Sequence, residues 1–152
     1  MREEPQPTSA CRVVLVDSRD ERRKRMRPVI DGDDAKVILV GEAASSAAAI
    51  VVVEEQRADA VILDVQMPVS EGLKAITSLR ERYPQLGIVV CSFDLDPPTV
   101  ELVLAHGADT CLAKPLRRSE VHNALGSVRS YDRPNGGHGP PLAALAGGAT
   151  AR

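Results

Sequence analysis

The stretch AVILDVQMP, residues 60–68, decides the architecture. Its first four residues are unbroken aliphatic, with no polar residue at every second place. A strand that faces water on one side alternates; a strand covered by helices on both faces has no need to. The run ends abruptly on Asp64, and Pro68 prevents simple continuation of the strand. Reading outward, four further runs share this form: Arg12-VVLV-Asp17, Lys36-VILV-Gly41, Gly87-IVVC-Ser92 and Thr110-CLA-Lys114. Each is short, β-branched or Leu-rich, and without alternation.

The segments between them have helical length. Asp20 to Asp31 places Met26, Val29 and Ile30 on one stripe, and Asp20 reads as the cap of this helix. Ser45 caps an Ala-rich segment running to Arg57, with Ile50, Val51 and Val53 available to a core. Glu71 to Tyr83 turns Leu73, Ile76 and Leu79 inward and Thr77, Arg80 and Glu81 outward. Pro97 and Pro98 suit the first turn of a helix reaching His106, which Gly107 stops. Arg117 to Tyr131 carries Val121, Leu125 and Val128 on one face. Strict alternation of strand and helix, with right-handed crossovers, predicts an α/β fold: a (βα)5 doubly wound parallel sheet of five strands. Ligands of such sheets bind outside the carboxyl ends of the strands.

At those ends stand Asp17, Asp64, Ser92 and Lys114. Two carboxylates at one edge suit a hard cation such as Mg²⁺, which takes a few carboxylates together with waters and phosphate oxygens. A carboxylate is also a nucleophile toward phosphorus. Phosphoryl transfer asks for positive charge on the equatorial oxygens, which Mg²⁺ and the Lys114 ammonium would share, with the Ser92 hydroxyl donating a hydrogen bond. A phosphoryl group on Asp64 would give Ser92 and Lys114 a new interaction in one state only, as a switch requires.

These residues carry a family resemblance. VVLVDS at the first strand, VILDVQMP at the third, EGL after it, IVVCS at the fourth and GADTCLAKPL at the fifth make residues 11–130 resemble the receiver domain of two-component response regulators. The resemblance implies a flavodoxin-like strand order 2-1-3-4-5. It implies Asp64 as phosphoacceptor, Asp17 and the backbone carbonyl of Gln66 as Mg²⁺ ligands, Ser92 as switch hydroxyl and Lys114 as the cation on the phosphate. It further implies a cis bond before Pro115, and a role for Gln66 and Asp94 in setting the phosphoryl lifetime. The phosphoryl donor would be a histidine kinase or phosphotransfer protein. Output would pass by protein–protein contact through the face of the fourth helix, fifth strand and fifth helix, about Pro97 to Val128, which also allows a homodimer. Apart from self-phosphotransfer and autodephosphorylation, no enzyme activity is implied. Two places depart from the family pattern. Ser18 stands where a second acid is usual, so the ion should bind more weakly, and Cys111 stands where an aromatic residue is usual.

Composition agrees. The chain has 152 residues, 43 % hydrophobic, with no Trp, one Phe and two Tyr, so its interior must be aliphatic. A net charge of −2 gives no basic field for nucleic acid. The run Arg22-Arg23-Lys24-Arg25-Met26-Arg27 lacks interleaved aromatics and reads as a solvated or protein-docking helix face. Cys11, Cys91 and Cys111 lie in apolar runs without zinc spacing, as in a reducing, cytoplasmic setting. His106, His122 and His138 are scattered and suggest no metal site, and Cys91 has no evident base. No membrane span or signal core is visible. Residues 1–10 read as a polar leader, and 131–152, rich in Gly, Pro and Ala, as a disordered tail. Two other functions compete. One is a binding module that keeps the fold but works without phosphorylation because of Ser18. The other is an aspartyl phosphohydrolase of the haloacid-dehalogenase type, which would want an Asp where Gln66 stands.

Overall fold

Strand and helix alternate without a break through the computed structural model, which describes residues 10–32 and 36–130. In chain order the elements are β1 (Cys11–Val16), α1 (Asp20–Ile30), β2 (Val37–Ala43), α2 (Ser46–Gln56), β3 (Ala60–Asp64), α3 (Val69–Arg82), β4 (Gly87–Ser92), α4 (Pro97–His106), β5 (Thr110–Ala113) and α5 (Arg118–Ser130). All pairings are parallel and the order is β2-β1-β3-β4-β5, as expected. The expected leader, apart from Ala10, and the expected tail lie outside the described residues.

The two-sided core explains the unbroken runs. Val14, Val16, Val61, Leu63, Ile88 and Val90 face one way, against Ala49 and Val53 of α2, Ile76 and Leu79 of α3 and Val103 of α4. Val13, Leu15, Ile62 and Val89 face the other way, against Met26 and Ile30 of α1 and Val121 and Leu125 of α5. Each of these strand residues is fully enclosed, at roughly 1.5–3 kcal/mol per large aliphatic side chain.

β2 runs two residues beyond Gly41. The cause is a shift in its register with β1: Val13 pairs with Leu39 but Val14 with Gly41, so Val40 is an extra residue. Val40 packs toward the α2 side, and a Cβ on Gly41 would meet Val52 of α2 as well. Two successive residues on one side shift the alternation by one place. Glu42 therefore faces α1, where it accepts hydrogen bonds from Arg23 Nε at 2.9 Å, from Arg27 Nη2 at 2.9 Å and from Arg27 Nε.

Several local expectations are corrected. Asp20 does not cap α1; it is the first helical residue, Arg19 holds the cap position without a side-chain bond, and Asp20 instead pairs with Arg23 and Lys24. The basic run is not simply a solvated face, because Arg23 and Arg27 are spent on Glu42. Val51 points to solvent, whereas Val53 is buried. α3 starts at Val69, since the turn of Pro68 already feeds it, and α5 starts at Arg118; Tyr131, its expected end, is outside the described residues. Arg80 does not point outward. Its guanidinium donates to the carbonyls of Gly107, Pro84 and Leu86 and to the fully buried carboxylate of Asp109, which also accepts from the Ile88 N–H. The Ser45 cap of α2, donated to by the Ala48 N–H, is as expected. So is the stop of α4 at Gly107, whose φ of 125° suits glycine.

Candidate functional site

Three of the four strand-end side chains meet. Asp17 follows β1 directly, and its N–H donates to the Ala43 carbonyl at 3.0 Å, which fixes it against the end of β2. Its Oδ1 accepts the Arg19 N–H at 2.9 Å, an Asx-type turn that starts α1 without a cap. Asp64 ends β3, and its Oδ1 accepts the Gln66 N–H at 2.7 Å. The next turn stays close to the sheet because Gly72 lets α3 approach: a Cβ there would lie 2.3 Å from the Val65 carbonyl oxygen. Lys114 follows β5, and its N–H donates to the Ser92 carbonyl at 2.9 Å, aligning the ends of β4 and β5. The Lys114 ammonium lies 2.6 Å from Asp64 Oδ2 and 3.6 Å from Asp17 Oδ2. The peptide bonds Lys114–Pro115 and Met67–Pro68 are both cis; the first was expected and the second was not.

Ser92 is fully buried on the same edge, but its Oγ accepts the Asp94 N–H at 2.9 Å rather than joining the trio. That bond uses a lone pair and leaves the hydroxyl proton free to donate. Gln66 contributes its N–H to Asp64. Ser18 is exposed. Cys91, in register with Asp64, has its thiol pushed far up by burial and cannot act as a thiolate.

A residue absent from the expected set is Arg22, in the first turn of α1. Its Nη1 donates to Asp64 Oδ2 at 3.0 Å, so one carboxylate oxygen holds both a guanidinium and an ammonium. The basic run contained this residue, yet nothing in the run separates Arg22 from its neighbours until α1 is placed against the sheet.

Burial splits the two acids. Asp17 and Asp64 are 0 % and 1 % exposed. Desolvation raises the Asp17 carboxyl above its ordinary value, and the nearby Asp64 charge adds to this. Desolvation presses Asp64 upward too, but the hydrogen bonds from Lys114 and from the Gln66 N–H outweigh it and hold Asp64 below the ordinary range. Asp64 is thus the more acidic of the two carboxyls. Beside it a cavity of about 270 Å³ opens between α1 and the β5–α5 connection, lined among others by Arg22, Met26, Val29, Phe93 and Leu116. Phe93 is 63 % exposed, and its ring lies 5.4 Å from the Lys114 ammonium.

A divalent cation fits this donor set, though thinly. Asp17 Oδ2 is buried without a hydrogen-bond partner, a lone acceptor that a hard cation would satisfy. Among the described residues, however, no group of three or more Asp, Glu, His or Cys is placed to hold a metal. Also among the described residues, no helix is long and apolar enough to cross a membrane.

Comparison with known proteins agrees with this geometry. The family model described as "Response regulator receiver domain" matches residues 13–126. Protein CcdB of Bacillus subtilis is 28 % identical over 120 residues, 79 % of this chain and 98 % of that protein. The DNA-binding transcriptional activator DevR/DosR of Mycobacterium tuberculosis is 30 % identical over 118 residues, 77 % of this chain but only 54 % of its own length. Among solved structures, the signal receiver domain of NarL from Mycobacterium tuberculosis superposes with a TM-score of 0.71 at 26 % identity, covering 82 % of this chain and all of that one.

Proposed function

The chain belongs to the response regulator receiver domain family of two-component signalling, and from that premise we propose that Asp64 accepts a phosphoryl group from a histidine kinase or phosphotransfer protein and that the α4–β5–α5 face relays the change. The receiver unit is taken as residues 11–130. The observation that carries the reading is a buried carboxylate at a strand end, held below the ordinary acid range by a buried lysine that itself lines a cavity.

An Asp64 oxygen attacks phosphorus, an O–P bond forms as the P–N bond of the donor phosphohistidine breaks, and the leaving imidazole nitrogen takes a proton from solvent. The Lys114 ammonium, already on Asp64 Oδ2, passes its charge to the phosphoryl oxygens. The Ser92 hydroxyl donates to one of them while still accepting the Asp94 N–H, so the 92–94 turn follows the phosphoryl group. Receiver domains generally bind Mg²⁺ at this place; here Asp17, Asp64 and the Gln66 backbone carbonyl would hold it. When bound, it supplies positive charge to the phosphoryl oxygens. On α4 the 41 % exposed Leu102 gives the output face an apolar anchor for a protein partner or a second copy. The reaction proposed for the domain itself is phosphorylation and dephosphorylation of Asp64.

A second reading, a binding module that works unphosphorylated, is favoured by the exposed Ser18 in place of an acid and by the Arg22 guanidinium on Asp64. Weighing the intact protein after incubation with Mg²⁺ and acetyl phosphate separates the two. A gain of one phosphoryl mass that is lost in Asp64→Ala supports acceptance at Asp64. An unchanged mass at saturating Mg²⁺ overturns it.

A further inference from the structure

We infer that Arg22 is a tethered cation that competes with the divalent ion for Asp64, so that this receiver is charge-balanced without metal and takes up the ion only by displacing a guanidinium. The inference concerns the same site as the proposed function and rests on that reading only for its consequence in phosphoryl transfer.

Four observations carry it. The acidic edge holds two negative charges, Asp17 and Asp64, and two positive ones, Lys114 and Arg22, which sum to zero. Both cations meet on the same atom, Asp64 Oδ2, at 2.6 and 3.0 Å. The place after Asp17 is the neutral Ser18, so no further acid draws in a dication. Finally, two neighbouring cations of α1 are committed to other acceptors. Arg23 donates to Glu42, to Asp20 and to the Asp17 carbonyl, and Lys24 pairs with Asp20.

A dication arriving at Asp17 and Asp64 would stand a few ångströms from the guanidinium on Asp64 Oδ2, a repulsion that is strong where solvent is excluded. Lys114 cannot yield easily, since its side chain is 5 % exposed. Arg22 can: its side chain is 29 % exposed and borders the cavity of about 270 Å³, into whose mouth it can swing. Ion binding therefore costs the Arg22–Asp64 bond. The same exchange frees a cation at the cavity beside Asp64. The anchoring of α1 does not rest on Arg22, because Arg23 and Arg27 hold Glu42.

Mn²⁺ is the probe, with free ion counted by electron paramagnetic resonance on the full chain. Arg22→Gln and Arg22→Met should each bind Mn²⁺ about tenfold or more tightly than the unsubstituted protein, equivalent to about 1.4 kcal/mol. Asp17→Asn in the Arg22→Gln background should remove that binding. Circular dichroism melting checks that each variant is folded. Unchanged or weaker Mn²⁺ binding in both Arg22 variants overturns the inference, as does an absence of binding in all of them, because Arg22 is then not what limits the ion. If the variants bind Mn²⁺ more tightly but gain no phosphoryl mass from acetyl phosphate at saturating Mn²⁺, the phosphoacceptor reading fails and the competition stands. If they gain mass, the Mg²⁺ concentration for half-maximal gain should fall by the same factor as the Mn²⁺ affinity rises.

Discussion

Replacing Lys114 by Met removes one ammonium and leaves a stem of similar length, so it tests the charge at the heart of the site. In the folded protein this ammonium is 2.6 Å from Asp64 Oδ2 and 3.6 Å from Asp17 Oδ2, with all three side chains at most 5 % exposed. Removing one partner of a buried pair costs about 3–5 kcal/mol. Arg22 remains on Asp64 Oδ2 and is partly solvated, which puts the expected loss near the lower end, about 3 kcal/mol. Urea unfolding followed by far-ultraviolet circular dichroism is the assay, since the chain has no Trp. With a slope of about 2 kcal/mol per molar, the midpoint should fall by about 1.5 M. The double variant Lys114→Met with Asp64→Asn should recover about 2 kcal/mol, because the orphaned charge is gone as well. The pH dependence has a definite sign. Without the ammonium, Asp64 loses the main group holding its carboxyl below the ordinary range, so its protonated form becomes cheaper to bury and the deficit shrinks as pH falls. A loss under about 1 kcal/mol, or strict additivity in the double variant, would refute the geometry on which the site is built.

Gly72→Ala should cost about 1–3 kcal/mol in a thermal melt, because its Cβ meets the Val65 carbonyl, backbone that cannot step aside; an unchanged melting temperature contradicts this. Glu42→Gln should cost about 1 kcal/mol at neutral pH. Hydrogen bonds from Arg27 and Arg23 lower the Glu42 carboxyl, so its contribution is present above the unfolded pKa and is lost as pH falls through the folded one; a gap between variant and parent that widens in acid would be the wrong sign. Cys11, Cys91 and Cys111 are all buried, and burial pushes the Cys111 thiol up to about 12, so a thiol reagent at pH 8 should label them only as fast as urea opens the fold. Labelling of one thiol per chain within minutes in native buffer would show an exposed thiol.

The sheet was legible because its strands are covered on both faces, and such strands announce themselves as aliphatic runs closed by polar residues. The same punctuation located Asp17, Asp64, Ser92 and Lys114, since a residue at the carboxyl end of a parallel strand is delivered to the common edge by topology alone. What stayed hidden was of two kinds. Local hydrogen bonding overrode propensity at Asp20, where the Asp17 turn began α1 and left no cap to fill. Long side chains chose partners far along the sequence: Arg22 found Asp64 and Arg80 found Asp109, 42 and 29 residues away. An arginine among arginines carries no mark of which acid it will reach, and a buried ion pair resembles a solvated charge until two elements are packed.

The additional residue in β2 has a consequence beyond the strand. By advancing the alternation one place, Val40 turns Glu42 from the α2 flank to the α1 flank, where two arginines grip it. A strand of the same length paired without that bulge would set Ala43 in place of the acid beneath α1 and push the acid toward aliphatic neighbours. The helix would lose its tether, and Arg22 would drift from Asp64 with no residue of the acceptor pocket altered. The setting of the acceptor charge is therefore written partly in one irregular pairing at the sheet's margin.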